Sequence, residues 1–152
     1  MSCDKSLSGV WRNELGSRMI LQQSTDGDLS GCYNTAVGHA KNLYSLVGKT
    51  NLHLKAVCDK ASVGFTVAYQ NDHFGDSMSV CSWSGKYQLL DSQEIIETTW
   101  LLTRERSHES NWDSTLVGKN SFTRVELESW VLEEYDQCMN ELNENVAPIA
   151  EL

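Results

Sequence analysis

The sequence predicts an all-β domain, an eight-stranded antiparallel up-and-down barrel. Short runs rich in Thr, Val and aromatic residues recur along the chain, with five Trp and five Tyr spread among them. Turn signals separate the runs, and the chain holds ten Gly but one Pro. Within the runs, side chains of one kind return at every second position, the period of a strand. A length of 152 residues allows one domain with a sizeable core.

Val10 to Glu14 is the first strand, followed by a Gly16–Ser17 turn, and Arg18 to Gln23 is the second. Asp26–Gly27 is a strong hairpin signal. Leu29 to Thr35 returns as the third, with Tyr33 and Thr35 on one face and Cys32 and Asn34 on the other. Ala36 to Lys41 is rich in small residues and reads as a loop, and Leu43 to Thr50 is the fourth strand. Asn51 to Lys60 has no clear pattern and suits a long hairpin loop holding Cys58. Val63 to Gln70 is the fifth strand, with Phe65, Val67 and Tyr69 in phase. After a turn at Asn71 to Asp76, Ser77 to Tyr87 is the sixth, with Ser79, Cys81 and Trp83 in phase. Gln93 to Thr103 and Ser114 to Val125 are the seventh and eighth. The polar stretch Arg104 to Asn111 between them reads as a solvated turn, and Trp112 stands just before the eighth strand. An aromatic exposed there calls for a cover.

The tail differs. Leu127, Val131, Tyr135, Cys138 and Leu142 recur at helical spacing, with Ser129 as a candidate cap and Glu133 and Glu134 near the start. Two readings stand: a solubilising acidic tail that is partly helical, or a helix whose apolar stripe packs on a barrel or another subunit. The expected organisation is a lead-in over 1–8, a barrel over 9–125 and a tail over 126–152.

The formal net charge is −9, but eight of the 21 acidic residues follow Arg124 with no Lys or Arg among them, leaving thirteen acidic against twelve basic before it. The body is nearly neutral and carries no basic patch for nucleic acid. Met1 to Ser8 has no apolar stretch of the kind a signal peptide needs, no run is long enough to span a bilayer, and no Asn-x-Ser/Thr sequon appears. Cys3, Cys32, Cys58, Cys81 and Cys138 are odd in number and irregular in spacing, so free or intermolecular thiols are expected rather than a disulfide framework or a zinc site. No metal or other cofactor is implied.

One face of the strands offers Trp11 and Asn13, Tyr33 and Thr35, Ser79, Cys81 and Trp83, Trp100 and Leu102, and Asn120. A packing core would use Leu, Ile and Val. Unpaired buried polar groups are costly, so this mixture implies a small polar ligand or ordered water.

Several stretches resemble the avidin family, which includes streptavidin. They are Gly-x-Trp-x-Asn-x-Leu-Gly-Ser from Gly9 to Ser17, Gly-x-Tyr-x-x-Ala-Val-Gly from Gly31 to Gly38, and Gly-Phe-Thr-Val-Ala from Gly64 to Ala68. Trp83-Ser-Gly85, Thr-x-Trp-Leu-Leu ending at Leu102, and Trp112 through Thr123 complete the pattern. The resemblance implies an eight-stranded barrel that assembles as a homotetramer, a dimer of dimers, and binds biotin without transforming it. It assigns Asn13, Ser17 and Tyr33 as donors to the ureido oxygen, and Thr35 and Asn120 as acceptors for the ureido N–H groups. The loop Val37, Gly38, His39 and Ala40, with Ser79, falls where the valerate carboxylate is held. Trp83 and Trp100, with Leu102 beside them, form aromatic walls, and Trp112 caps the pocket of a neighbouring subunit. It also implies secretion, with sequestration of biotin from microbes as the usual role.

Three positions depart from the pattern. Tyr69 stands where the family usually has a tryptophan, and Cys81 where a threonine approaches the biotin sulfur. Both predict weaker binding than in the tightest members, and Cys81 is also a candidate pocket thiol open to oxidation. The disulfide of some members is not reproduced, since Cys3 lies near one end but Tyr87 occupies the other. A lipocalin-like carrier is the first alternative, on the Gly9-Val-Trp11 start. The polar lumen and the lack of a C-terminal barrel helix followed by a Cys pair weigh against it. An interaction module acting through the acidic tail is the second. An enzyme is disfavoured, because His39, His53, His73 and His108 show neither metal-like spacing nor a Ser/His/acid set.

Overall fold

A computed structural model describes residues 6–35, 43–52, 60–69, 78–126 and 128–144. The strands are β1 (Gly9–Asn13), β2 (Arg18–Gln23), β3 (Asp28–Asn34), β4 (Tyr44–Thr50), β5 (Lys60–Tyr69), β6 (Ser79–Leu90), β7 (Gln93–Arg104) and β8 (Thr115–Arg124). Each pairs antiparallel with the next, and β8 returns to β1, so the sheet closes into a barrel in chain order. Closure leaves no free strand edge. Helix α1 (Ser129–Glu144) follows. Among the described residues no helix is long and apolar enough to cross a membrane.

Two extensions of the strands lay outside the sequence reading. β5 begins at Lys60, whose register partner is Gln88, so Lys60 to Ser62 are strand rather than loop. β6 runs on to Leu90, and the β6–β7 hairpin turns through Asp91 and Ser92 at φ 49° and 68°, a tight primed turn built without glycine. The stretch between β7 and β8 is not a plain turn but holds a 3-10 helix, His108–Asp113. The candidate loop Ala36 to Lys41, the turn Asn71 to Asp76, and Cys3, Cys58 and Leu127 lie outside the described residues.

The core divides in two. Inside the barrel, Trp11, Met19, Leu21, Leu46, Phe65, Val67, Tyr87, Ile96 and Phe122 pack together. Trp11, Leu21, Tyr87 and Ile96 plug the end where β1 begins, and the cluster continues through Val67 to Cys81 and Trp83. The lead-in belongs to this plug, since Leu7 is 0% exposed and the indole N–H of Trp11 donates to its carbonyl at 2.9 Å. Arg124 stacks 4.4 Å over the Trp11 ring, pairs with Glu94, and donates to the carbonyls of Ser6 and Ser8. Order therefore starts before Gly9.

The second cluster lies outside the wall. Val10, Ile20 and Cys32 point away from the lumen, and Val131 and Cys138 of α1 bury them, with Tyr135, Met139 and Leu142 beside the seam. Cys32 and Cys138 form a disulfide across a separation of 106 residues, which corrects the expectation of free thiols for these two, while Cys81 is free. The sequence could not show this pairing, because it joins a strand to a helix that meet only in the fold. Arg18 donates from Nε to Glu134 Oε2 at 2.8 Å and from Nη2 to Oε1, and lies 5.6 Å from the Trp130 ring. Ser129 is the first helical residue rather than the cap. The Glu128 carbonyl accepts from Val131 and Leu132, so Glu128 holds the capping position. A helix packed on the barrel and tied by a disulfide is thus present, and its absence cannot weigh against a lipocalin-like carrier. Nor are residues 128–144 a free acidic segment, since their apolar stripe is spent on the barrel.

Ile20→Ala should lower stability by about 2–5 kcal/mol in urea melts, because it empties the seam between wall and helix. Leu132→Ala, at a position 50% exposed on the far side of α1, should change it by less than about 0.5 kcal/mol. Equal effects would place the helix off the wall.

Candidate functional site

Up-and-down topology sends the odd strands to one end of the barrel. Asn13 and Tyr69 close β1 and β5, Thr35 follows β3, and Arg104 ends β7; Ser17, Tyr44 and Ser79 stand where the even strands begin. Asn13, Ser17, Thr35 and Ser79 therefore gather at the end opposite the plug, with Asn120 midway along β8.

Asn13 fixes the β1–β2 turn. Its Oδ1 accepts from the backbone N–H of Leu15 at 3.0 Å and of Ser17 at 2.9 Å. Both are obligate donors, so the carboxamide can face them only with its oxygen, and its Nδ2 is left toward the lumen. That Nδ2 donates to the Tyr33 hydroxyl at 3.4 Å. Burial pushes the Tyr33 phenol up to about 12, helped by nearby Cys81 and Glu14 and offset in part by hydrogen bonds from Ser17 and Asn13. Tyr33 is therefore a neutral O–H throughout the physiological range. Asn13, Ser17 and Tyr33 form one buried cluster of donors.

Asn120 is turned the other way. Glu14 accepts from Asn120 Nδ2 and from Ser121 N–H, each at 2.9 Å. A carboxylate accepts only, so Asn120 must offer its nitrogen there and its oxygen to the interior. Oδ1 receives the indole N–H of Trp83 at 3.1 Å and keeps a second lone pair. The Asn120 backbone carbonyl accepts from Thr98 Oγ1 at 3.0 Å. Burial raises the Glu14 carboxyl, but hydrogen bonds from Asn120, its own backbone and Ser121 outweigh this and hold it below 4.5. Its support of Asn120 is full above that pH and is lost as the pH falls through the lowered value. Glu14, which follows Asn13 directly, was missed in the sequence. Its position beside a candidate ligand residue was the available signal.

Aromatic rings line the space between these ends. Trp83 stacks on Phe65 at 5.0 Å and meets Tyr33 at 5.0 Å. Tyr69 packs edge-on to Tyr44 at 4.8 Å and to Tyr33 at 6.5 Å, so its smaller ring is backed by Tyr44. Phe65 and Tyr44 are walls the sequence reading did not assign. Trp100 and Leu102 pack partly buried against this core. The Trp100 indole lies over Gly118, where an added Cβ would come 2.1 Å from Cζ2, so only glycine fits opposite it. Thr35 and Ser79 are half-buried at the rim. Val37, Gly38, His39 and Ala40 lie outside the described residues.

Trp112 stands apart. It sits in the 3-10 helix, 85% exposed. Arg104 Nη2 donates to the Asp113 carbonyl at 3.2 Å and Arg106 pairs with Asp113, so its mount is fixed.

Cys81 is 4% exposed, and burial pushes its thiol up to about 12 from the usual 9. The thiolate is the reactive form, so burial works against the oxidation expected of a pocket thiol here. Iodoacetamide at pH 8 should alkylate it more slowly in the native protein than after denaturation. Peptide mapping before and after denaturation checks this. Rapid labelling of the native protein would place Cys81 in contact with solvent.

The family description "Avidin family" matches residues 1–125. Avidin-related protein 4/5 of Gallus gallus is 32% identical over 123 residues, 79% of this chain and 78% of that protein. Avidin of Gallus gallus is 32% identical over 126 residues, with the same shares covered. Fibropellin-1 of Strongylocentrotus purpuratus is 31% identical over 129 residues, 82% of this chain, and the chain spans only 11% of that protein. The match covers the whole barrel, from the turn set by Asn13 to the strand that carries Asn120, and this chain belongs to the avidin family.

Proposed function

We propose that the barrel binds biotin reversibly and leaves it unchanged. The opposed orientation of Asn13 and Asn120 carries this reading. A ureido group has one carbonyl oxygen and two N–H groups across a small ring. The Asn13, Ser17 and Tyr33 cluster offers donors for the oxygen, as an oxyanion hole does, although no reaction follows. Asn120 offers an acceptor, and Thr35 on the same inner phase is the second. The bicyclic ring then lies against Trp83, Trp100 and Leu102, near Cys81 and Tyr69. The valerate carboxylate points out past Ser79, and the family resemblance names Val37, Gly38, His39 and Ala40 as its further partners. Tyr69 and Cys81 weaken binding relative to a tryptophan and a threonine there, because a smaller ring covers less and a thiol donates weakly.

Assembly as a homotetramer, a dimer of dimers, completes the pocket. Its support is the exposed Trp112 and the apolar outer wall of Val47, Val80, Leu101 and Val117, each at least 44% exposed. Trp112 closes the mouth of a neighbouring barrel. A secreted protein that withholds biotin from microbes fits this design, and the Cys32–Cys138 disulfide accords with an oxidising compartment.

Titration with biotin, followed by tryptophan emission and a thermal melt, should saturate at one ligand per chain with a clear rise in Tm. Tyr33→Phe should weaken binding by about 1.5–3 kcal/mol, because it removes one donor from a polarised oxygen. No response at micromolar biotin would overturn the reading.

A further inference from the structure

We propose that α1 is a positioning element for the pocket: by holding Arg18 and Cys32 on the outside of the wall, it sets Ser17 and Tyr33 on the inside. The proposal rests on the biotin reading above. Neighbouring residues of a strand point to opposite faces and share a peptide unit. A constraint on one outer side chain therefore constrains the Cα of its inner neighbour. Tyr33 has such a neighbour within β3, and Ser17, in the turn just before β2, is joined to one through its peptide bond. Arg18, next to Ser17, makes a two-pronged ion pair with Glu134. Cys32, next to Tyr33, is covalently joined to Cys138.

The two attachments are one helical turn apart on α1, so they act through a single rigid face. They are staggered on the wall, since Arg18 pairs with Asn34 and Cys32 with Ile20 across β2 and β3. The helix thus braces the wall in two directions. The third donor, Asn13, follows through the turn, where its N–H donates to the Ser17 carbonyl at 3.0 Å. The barrel ladder is complete without α1, which lies beyond the 1–125 match to the family. Its effect on the pocket therefore adds to what the family domain supplies. Hydrogen bonds to one oxygen tolerate little displacement, so a small shift of the β1–β3 wall is felt at the ligand.

The test uses the full chain, its Cys32→Ser/Cys138→Ser double variant and Glu134→Gln, with biotin carrying a 13C-labelled ureido carbonyl. Two quantities are read: the infrared stretch of the bound carbonyl and the biotin dissociation rate. In the parent protein the stretch should fall below that of free biotin. In both variants it should move back toward the free value, with dissociation on the order of tenfold faster. Glu134→Gln keeps the disulfide and carries the test if the double variant fails to fold. Variants that bind with the parent frequency and rate would overturn the proposal and leave α1 a stabilising strap. A parent protein that does not bind biotin would instead sink the functional reading, and the proposal with it, before any variant is compared.

Discussion

The pocket depends on the direction of two carboxamides. A side-chain amide in a closed barrel can turn either way, and each way offers the lumen a different group. Here the choice is made outside the lumen, by partners that cannot reverse role. Two backbone N–H groups in the β1–β2 turn take the oxygen of Asn13, and the Glu14 carboxylate takes the nitrogen of Asn120. One amide is left presenting a donor and the other an acceptor. Tyr33 and Trp83 bridge the interval, hydrogen-bonded to Asn13 and Asn120 respectively and packed on each other. On the proposed biotin reading, a small ligand with an acceptor at one end and donors at the other would meet a surface already set for it, which would lower the ordering cost of binding.

Much of this was legible in the sequence because the strand period is two. Alternation placed Trp11, Asn13, Tyr33, Cys81, Trp83 and Asn120 on one face, and all six are buried in the barrel. It also put Cys32 on the opposite face from Tyr33. What alternation could not tell is what covers that outer face. Cys32 and Ile20 are buried by a helix more than a hundred residues away in the chain, a contact that no local pattern encodes. Glu14 was passed over for a related reason, since an exposed carboxylate reads as solvated until its partner Asn120 is brought beside it. Leu7 in the lead-in gives no pattern by itself, and only the barrel supplies its packing.

The tail shows how composition can mislead. Eight acidic residues with no basic partner of their own suggest a solvated extension. The helical spacing of Val131, Tyr135, Cys138 and Leu142 is the stronger signal, since an apolar stripe needs a surface. Its charge is not idle either, because Glu134 finds Arg18 on the strand beneath. Surface ion pairs contribute little alone, but this one lies between a disulfide and an apolar seam that already fix both backbones. The donor side of the pocket is thus backed by a second core, while Asn120 is held by Glu14 from the turn.

A crystal structure of the chain with biotin would test the central claim most directly. The ureido oxygen should lie within hydrogen-bond distance of Asn13 Nδ2, Ser17 Oγ and Tyr33 Oη, with one ureido N–H on Asn120 Oδ1 and Glu14 still holding Nδ2. A ligand bound with its ureido ring elsewhere, or an Asn120 turned to face it with nitrogen, would contradict the account.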